Sequence, residues 1–158
     1  MKRFPRTLAT FVICVFAVIR AQLGIAASSA PLIGTIEKYD HLVDGCSCTL
    51  FDRPNWNVKE GHVVFVSDIG GHNAWMNISG SVEPLWMYFL QEPARSGLKG
   101  DRLRRRYWSS ITHVTCDFTV TSVCDGKSEC DGFGVSATIS VVHRSQRAQL
   151  RAYGVCGC

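Results

Sequence analysis

The sequence has few of the features that would assign it to a familiar functional class. Of its 158 residues only 19% are charged, and it has no internal repeat, low-complexity tract or linker long enough to separate two domains. The hydrophobic share of 46% is ordinary, which argues against a disordered, collagen-like or polytopic membrane protein. We therefore expect residues 31–158 to form a single domain with its own hydrophobic core.

Motifs of common catalytic and metal sites are also missing. The chain has no Gly-x-Ser-x-Gly elbow, no paired-histidine zinc motif and no Cys-x-x-Cys or His-x-His element. Its acidic residues are scattered singly, so no pair of carboxylates suggests glycosidic chemistry. A non-enzymatic role without a cofactor is therefore favoured, and an unrecognised hydrolase is the weakest of the hypotheses.

The first 30 residues have the layout of a secretory signal peptide. Three basic residues precede an apolar run from Leu8 to Ile19, and small residues follow up to Ala30. The run ends at Arg20 after 12 residues, whereas about 20 are needed to cross a bilayer. We expect residues 1–30 to be cleaved and the protein to be exported to the periplasm or the extracellular space. Only an uncleaved leader would attach it to a membrane.

Removing this leader changes both the charge and the cysteine count. Residues 1–30 hold four of the 17 basic residues and none of the 13 acidic ones, so the formal net charge falls from +4 to zero. A neutral exported domain is not expected to bind nucleic acid. Loss of Cys14 leaves seven cysteines, which normally form structural bridges after export.

Two Cys-x-Cys pairs lie near the two ends of the expected domain. Residues two apart in an extended segment point to the same face, and a bridge inside one pair would close a very tight ring. Each cysteine is therefore expected to bridge to another segment. If the two short segments pair side by side, Cys46 and Cys48 could form one or two bridges with Cys156 and Cys158. The alternative is that these four thiols bind copper or zinc, or exchange disulfides with other proteins.

The other three cysteines lie in the second half of the chain. Cys124 and Cys130 flank a turn-prone insert and could close a small loop. Cys116 lies on the apolar face of an expected strand, where a lone thiol packs as a small hydrophobic group. With this pairing Cys116 is the unpaired cysteine, and the C-terminal pair Cys156 and Cys158 is the other place where the odd thiol is expected.

Alternation of apolar and polar residues predicts strands in the last third of the chain. Residues 112–121, 135–141 and 148–152 all alternate in this way. The last two runs are separated only by the polar stretch 143–146, which predicts a C-terminal hairpin.

The middle of the chain predicts further extended structure. Residues 63–67 and 74–79 flank Gly70 and Gly71, which indicates a second hairpin. Six large apolar residues, 85–90, could form a buried strand or one short helix. The predicted fold is mainly β, a small antiparallel sandwich or barrel stabilised by disulfides with at most one short helix.

The one dense charge cluster lies just before the strand at Thr112. It consists of Arg102, Arg104, Arg105 and Arg106 beside Tyr107 and Trp108. Guanidinium groups bind anions in a forked geometry and stack on aromatic rings, so the cluster predicts a contact site for an unknown protein or an anionic polysaccharide. The competing interpretation is a solvated loop.

Trp75 is a second candidate for the contact surface. It shares strand parity with Asn77 and Ser79, whereas Ala74 and Met76 take the other face, so we expect an exposed indole. Residues 77–79 also match the N-glycosylation pattern, which matters only in a eukaryotic secretory route. Together these features favour an exported, non-enzymatic binding protein.

Overall fold

A computed structural model of the chain describes residues 30–54, 62–92, 98–124 and 132–158. Within these ranges every regular element is a strand, and no helix there has the length and apolarity needed to cross a membrane. The predicted leader lies almost entirely outside the described residues. In chain order the strands are β1 (Ile33–Gly34), β2 (Ser47–Phe51), β3 (Val63–Asp68), β4 (Asn73–Ile78), β5 (Ser81–Gln91), β6 (Arg102–Trp108), β7 (Thr112–Val123), β8 (Gly132–His143) and β9 (Gln146–Gly157).

Eight of these strands form an up-and-down barrel. From β2 to β9 each strand pairs antiparallel with the next one in the chain, and β9 pairs back with β2. Closing the sheet on itself satisfies the backbone groups that open sheet edges would leave unpaired. The prediction of an antiparallel β-fold is thus confirmed in its barrel form.

The short strand β1 is added to the barrel beside β4, where Ile33 pairs with Ile78. Next to it, Nδ2 of Asn77 donates a hydrogen bond of 2.7 Å to the carbonyl oxygen of Thr35. The side-chain nitrogen to which a glycan would be attached is therefore already hydrogen-bonded within the folded domain.

Both predicted hairpins are confirmed. Strands β8 and β9 pair over their full lengths around a turn at residues 144–145, and β3 pairs with β4 across the glycine turn. Residues 85–90 lie in strand β5, which pairs with β4 on one side and β6 on the other. This apolar run forms a strand and not a helix, because both of its edges find partners. The prediction that the strand is buried is wrong, since only Leu85 is buried and four of the six side chains are exposed.

Alternate side chains of the strands fill the inside of the barrel. An eight-stranded barrel is just wide enough to be filled by side chains, so its interior is a packed core. The buried members contributed by β7 and β8 are Thr112, Val114, Cys116, Phe118, Val120, Val135, Ala137, Ile139 and Val141.

A smaller hydrophobic cluster lies on the outer face of β2, β3 and β4. Its buried members are Ile36, Phe51, Val63 and Val66, and Tyr39, Leu42 and Val43 pack against it. Residues 36–43 therefore cover this outer face. Trp75 packs here as well and is half-buried. Trp75 lies on the outer face, as its strand parity predicts, but the prediction of an exposed contact indole is wrong because it packs against this cluster.

Two disulfides join the first barrel strand to the last. Cys46 bonds Cys158 and Cys48 bonds Cys156, with sequence separations of 112 and 108 residues. The predicted bridging between the two Cys-x-Cys pairs is confirmed and indicates an oxidising compartment. Sulfur atoms within disulfides cannot act as thiolate ligands, so the four-cysteine metal site is wrong. The described part of the chain contains no cluster of three or more His, Cys, Asp or Glu side chains that could hold a metal ion.

The remaining cysteines separate into a bonded and a free class. Cys124 is disulfide-bonded, but its predicted partner Cys130 lies outside the described residues. Cys116 is free and fully buried, as predicted. Burial raises the pKa of its thiol, an effect that exceeds the opposing influence of the Arg105 charge.

We expect the Cys116 thiol to resist alkylation in the folded protein at about pH 8 and to react once urea unfolds the chain. The unfolded thiol ionises near its ordinary pKa of 9.0, whereas the folded thiol stays protonated to higher pH. Above pH 9.0 the unfolded state therefore binds fewer protons, and the free energy of unfolding falls as the pH rises.

Mass spectrometry after iodoacetamide treatment, with and without urea, measures the protection of this thiol. The Cys116→Ala variant serves as the control for labelling, and its stability should fall less steeply with pH in the same range. Rapid labelling of the folded protein would contradict the buried assignment.

Candidate contact face

Large exposed hydrophobic side chains are concentrated on strands β5 and β6. Trp86 and Trp108 are 48% and 47% exposed, and Phe89 beside them is also exposed. Arg106, partly exposed, lies among these rings. We call the four residues Trp86, Phe89, Arg106 and Trp108 the contact face. Contiguous exposed apolar groups of this kind mark interaction sites more often than single exposed side chains do.

The pairing of the two strands brings the contact face together. Trp86 lies opposite Trp108, and Phe89 lies opposite Arg106. The register shifts between Met87 and Phe89, which is a β-bulge at Tyr88. Because side chains alternate along a strand, Phe89 would point into the barrel without this extra residue. The bulge therefore puts Phe89 on the same outer surface as Trp86.

The side chains of the contact face touch one another. The ring centroids of Trp86 and Trp108 are 6.3 Å apart with the planes inclined by 56°. The guanidinium carbon of Arg106 lies 4.8 Å from the centroid of the Phe89 ring, a cation–π distance. These contacts restrain the rings and present one positive charge among apolar groups.

Two further arginines of β6 point outward beside the contact face. Arg104 forms a forked ion pair with Asp117, in which Nη2 donates to Oδ2 at 3.1 Å. The hydrogen bonds and charge of Asp117 raise the pKa of Arg104. Arg102 is exposed and lines a cleft of about 450 Å³ together with Gln91 and the Arg104–Asp117 pair.

The other two residues of the predicted cluster point into the barrel. Arg105 is 8% exposed and Tyr107 is fully buried, packed edge-on against Phe65 at 5.5 Å. The prediction of a contact role is wrong for these two residues, because neighbours in a strand point to opposite faces. The solvated-loop interpretation is also wrong, since residues 102–108 form strand β6.

A polar network connects the β4–β5, β6–β7 and β8–β9 turns at one end of the barrel. Oε2 of Glu83 accepts hydrogen bonds from the hydroxyls of Ser109 at 3.0 Å and Thr112 at 2.9 Å. Nδ1 of His143 lies 2.8 Å from the Thr112 oxygen. Since Thr112 donates to the carboxylate, the imidazole donates to Thr112 and does not act as its base. The network ties three turns together and does not activate this fully buried hydroxyl.

Of the predicted site, Arg106 and Trp108 belong to the contact face. They lie beside Trp86 and Phe89, which sequence reasoning missed. The missed pair lies in the apolar run 85–90, and only the bulge at Tyr88 places both rings outside. Comparison of the chain with family models, curated proteins and solved structures finds no significant match in any of the three.

Proposed function

We propose that this protein is an exported, non-enzymatic binding protein whose contact face binds an acidic surface of a partner protein. The observation that carries the proposal is the exposure of two indoles, a phenyl ring and a guanidinium on one outer sheet surface. Tryptophan and arginine are enriched among the residues that contribute most of the binding energy in protein interfaces. The contact face has this composition at its centre.

Charge supports an acidic partner. Neither Arg102 nor Arg106 forms an ion pair within the described part of the chain, whereas Arg104 is paired with Asp117. Two cations are therefore available to carboxylates of a partner, where they would speed association and set its orientation.

A protein fits this surface better than a polysaccharide does. The indole planes of Trp86 and Trp108 are inclined by 56°, so they do not make a coplanar platform for successive sugar rings. A partner protein can place different side chains against each ring. The proposed location is the periplasm or the extracellular space, supported by the disulfides and by the leader pattern of residues 1–30.

We expect Trp108→Ala to weaken binding to the partner by about tenfold or more, and Arg106→Ala to slow association most strongly at low salt. Neither side chain belongs to the buried core, so the Tm should change little. The measurement is surface plasmon resonance against proteins secreted by the same cells, fractionated and identified by mass spectrometry.

The matched control is Arg147→Ala, which removes an exposed arginine from strand β9 and should leave binding unchanged. Equal binding by Trp108→Ala and wild type would exclude the contact face. Heparin and poly-glutamate are run as probes beside the protein fractions. Selective retention of heparin that is lost in the same variants would reassign the partner as a polysaccharide.

A further inference from the structure

Arg105 is a cation enclosed in the barrel, and no carboxylate of the described residues pairs with it. It is 8% exposed, and it forms no ion pair with any residue that the structure describes. Its Nε and Nη1 atoms are both buried and have no hydrogen-bond acceptor there. Burying an unpaired charge is strongly unfavourable, so this guanidinium is a place where an anion would be stabilised.

The surroundings of Arg105 keep room for the guanidinium but do not neutralise it. Its central carbon lies 5.8 Å from the centroid of the Phe118 ring. On the β3–β4 turn the guanidinium lies directly against Gly71, where an added Cβ would overlap Nη1 and lie 2.7 Å from Cζ. The buried hydroxyl of Tyr107 lies close enough to Arg105 to interact with its charge.

Arg105 lines a cavity of about 10 Å³, which has room for about one particle of the size of a water molecule. The other lining residues are Cys48, Leu103, Phe118, Phe133, Val135 and Cys156. A buried water molecule needs two to four polar partners, and these lining side chains other than Arg105 are apolar or are disulfide-bonded cysteines. A monovalent anion would be attracted by the guanidinium charge, and this attraction is stronger where the surroundings are apolar.

We propose that Arg105 forms an internal binding site for one small monovalent anion of the halide class. The size of the cavity excludes carboxylate ligands and polyatomic anions such as sulfate. The site lies on the inner surface of β6, the strand whose outer surface carries half of the contact face. Its occupant would neutralise the buried charge without touching that outer surface.

The first test is thermal unfolding of the purified, oxidised protein in sodium bromide or sodium gluconate at constant ionic strength. Bromide at about 100 times its Kd should raise the Tm of the wild type by roughly 5–10 °C, whereas gluconate is too large to enter. Arg105→Met should lose this rise. Arg102→Met, which removes an exposed arginine from the same strand, should keep it. Absence of the rise in the wild type, or its persistence in Arg105→Met, would overturn the proposal.

The second test does not depend on a variant that folds. Crystals of the wild type grown in sodium bromide are measured at the bromine absorption edge. An anomalous peak within about 3.5 Å of Nε or Nη1 of Arg105 is the expected result. A water molecule at that position, with no anomalous signal, would overturn the proposal.

Discussion

Replacing Gly154 by alanine should destabilise the barrel by about 3 kcal/mol or more, at the upper end of the usual cost of overpacking. Gly154 lies on β9 and pairs with Leu50 on β2 and with Val135 on β8, so it belongs to the seam that closes the barrel. A Cβ there would overlap the carbonyl oxygen of Thr49 and lie 3.0 Å from the Cα of Leu50. These are backbone atoms, so no side-chain rotation can relieve the overlap.

Urea unfolding monitored by tryptophan fluorescence measures this loss. The control is Gly100→Ala, where φ is 95° but nothing lies within 4 Å of an added Cβ. That variant bears only the cost of a left-handed backbone, about 1–2 kcal/mol. If Gly154→Ala unfolded at the same urea concentration as Gly100→Ala, the close approach at the seam would not be important for stability.

Removing both disulfides should cost about 4–5 kcal/mol, because the unfolded chain would regain the freedom that a loop of more than 100 residues loses on closure. Removing one bridge should cost far less than half of this. The two loops differ by only four residues, so either bridge alone restrains the unfolded chain almost fully. Of the two, the Cys48–Cys156 pair should be more costly to remove because its residues are buried in the core.

A cycle of three variants measures this coupling: Cys46→Ala with Cys158→Ala, Cys48→Ala with Cys156→Ala, and all four together. Free energies of unfolding from urea denaturation should be strongly non-additive. The variant that lacks all four cysteines should lose far more stability than the sum of the losses in the two variants that each lack one bridge. Additive losses would show that the bridges act by local packing and not through the unfolded chain. Cys116→Ala reports the separate effect of removing a buried sulfur atom.

The local pattern of the chain was sufficient to predict most of the strands. In residues 112–121 and 135–141 the apolar and polar residues alternate without interruption, and the observed strands β7 and β8 extend these predicted ranges by only a few residues. The turns at 144–145 and around Gly70 and Gly71 made both hairpins predictable. Each of these features depends on residues that are close in sequence.

The candidate site was predictable only in part. Arg106 and Trp108 belong to the contact face, but the run of arginines concealed the alternation that turns Arg105 and Tyr107 inward. Phe89 could not have been assigned to the outer surface, because the bulge at Tyr88 that places it there has no sequence signature of its own.

The sequence was sufficient to predict a mainly antiparallel β-protein, because side-chain alternation is a local property of the chain, and it made bridges between the two Cys-x-Cys pairs one plausible pairing among many. Only the tertiary structure decided between sandwich and barrel, since closure depends on β2 pairing with β9 from the far end of the chain. It also decided which outward side chains meet solvent. Trp75 packs against the outer cluster that includes Ile36, whereas Trp86 and Trp108 are about half exposed, although all three tryptophans lie on outer strand faces. Exposure depends on what packs against a strand, and strand parity does not contain that information.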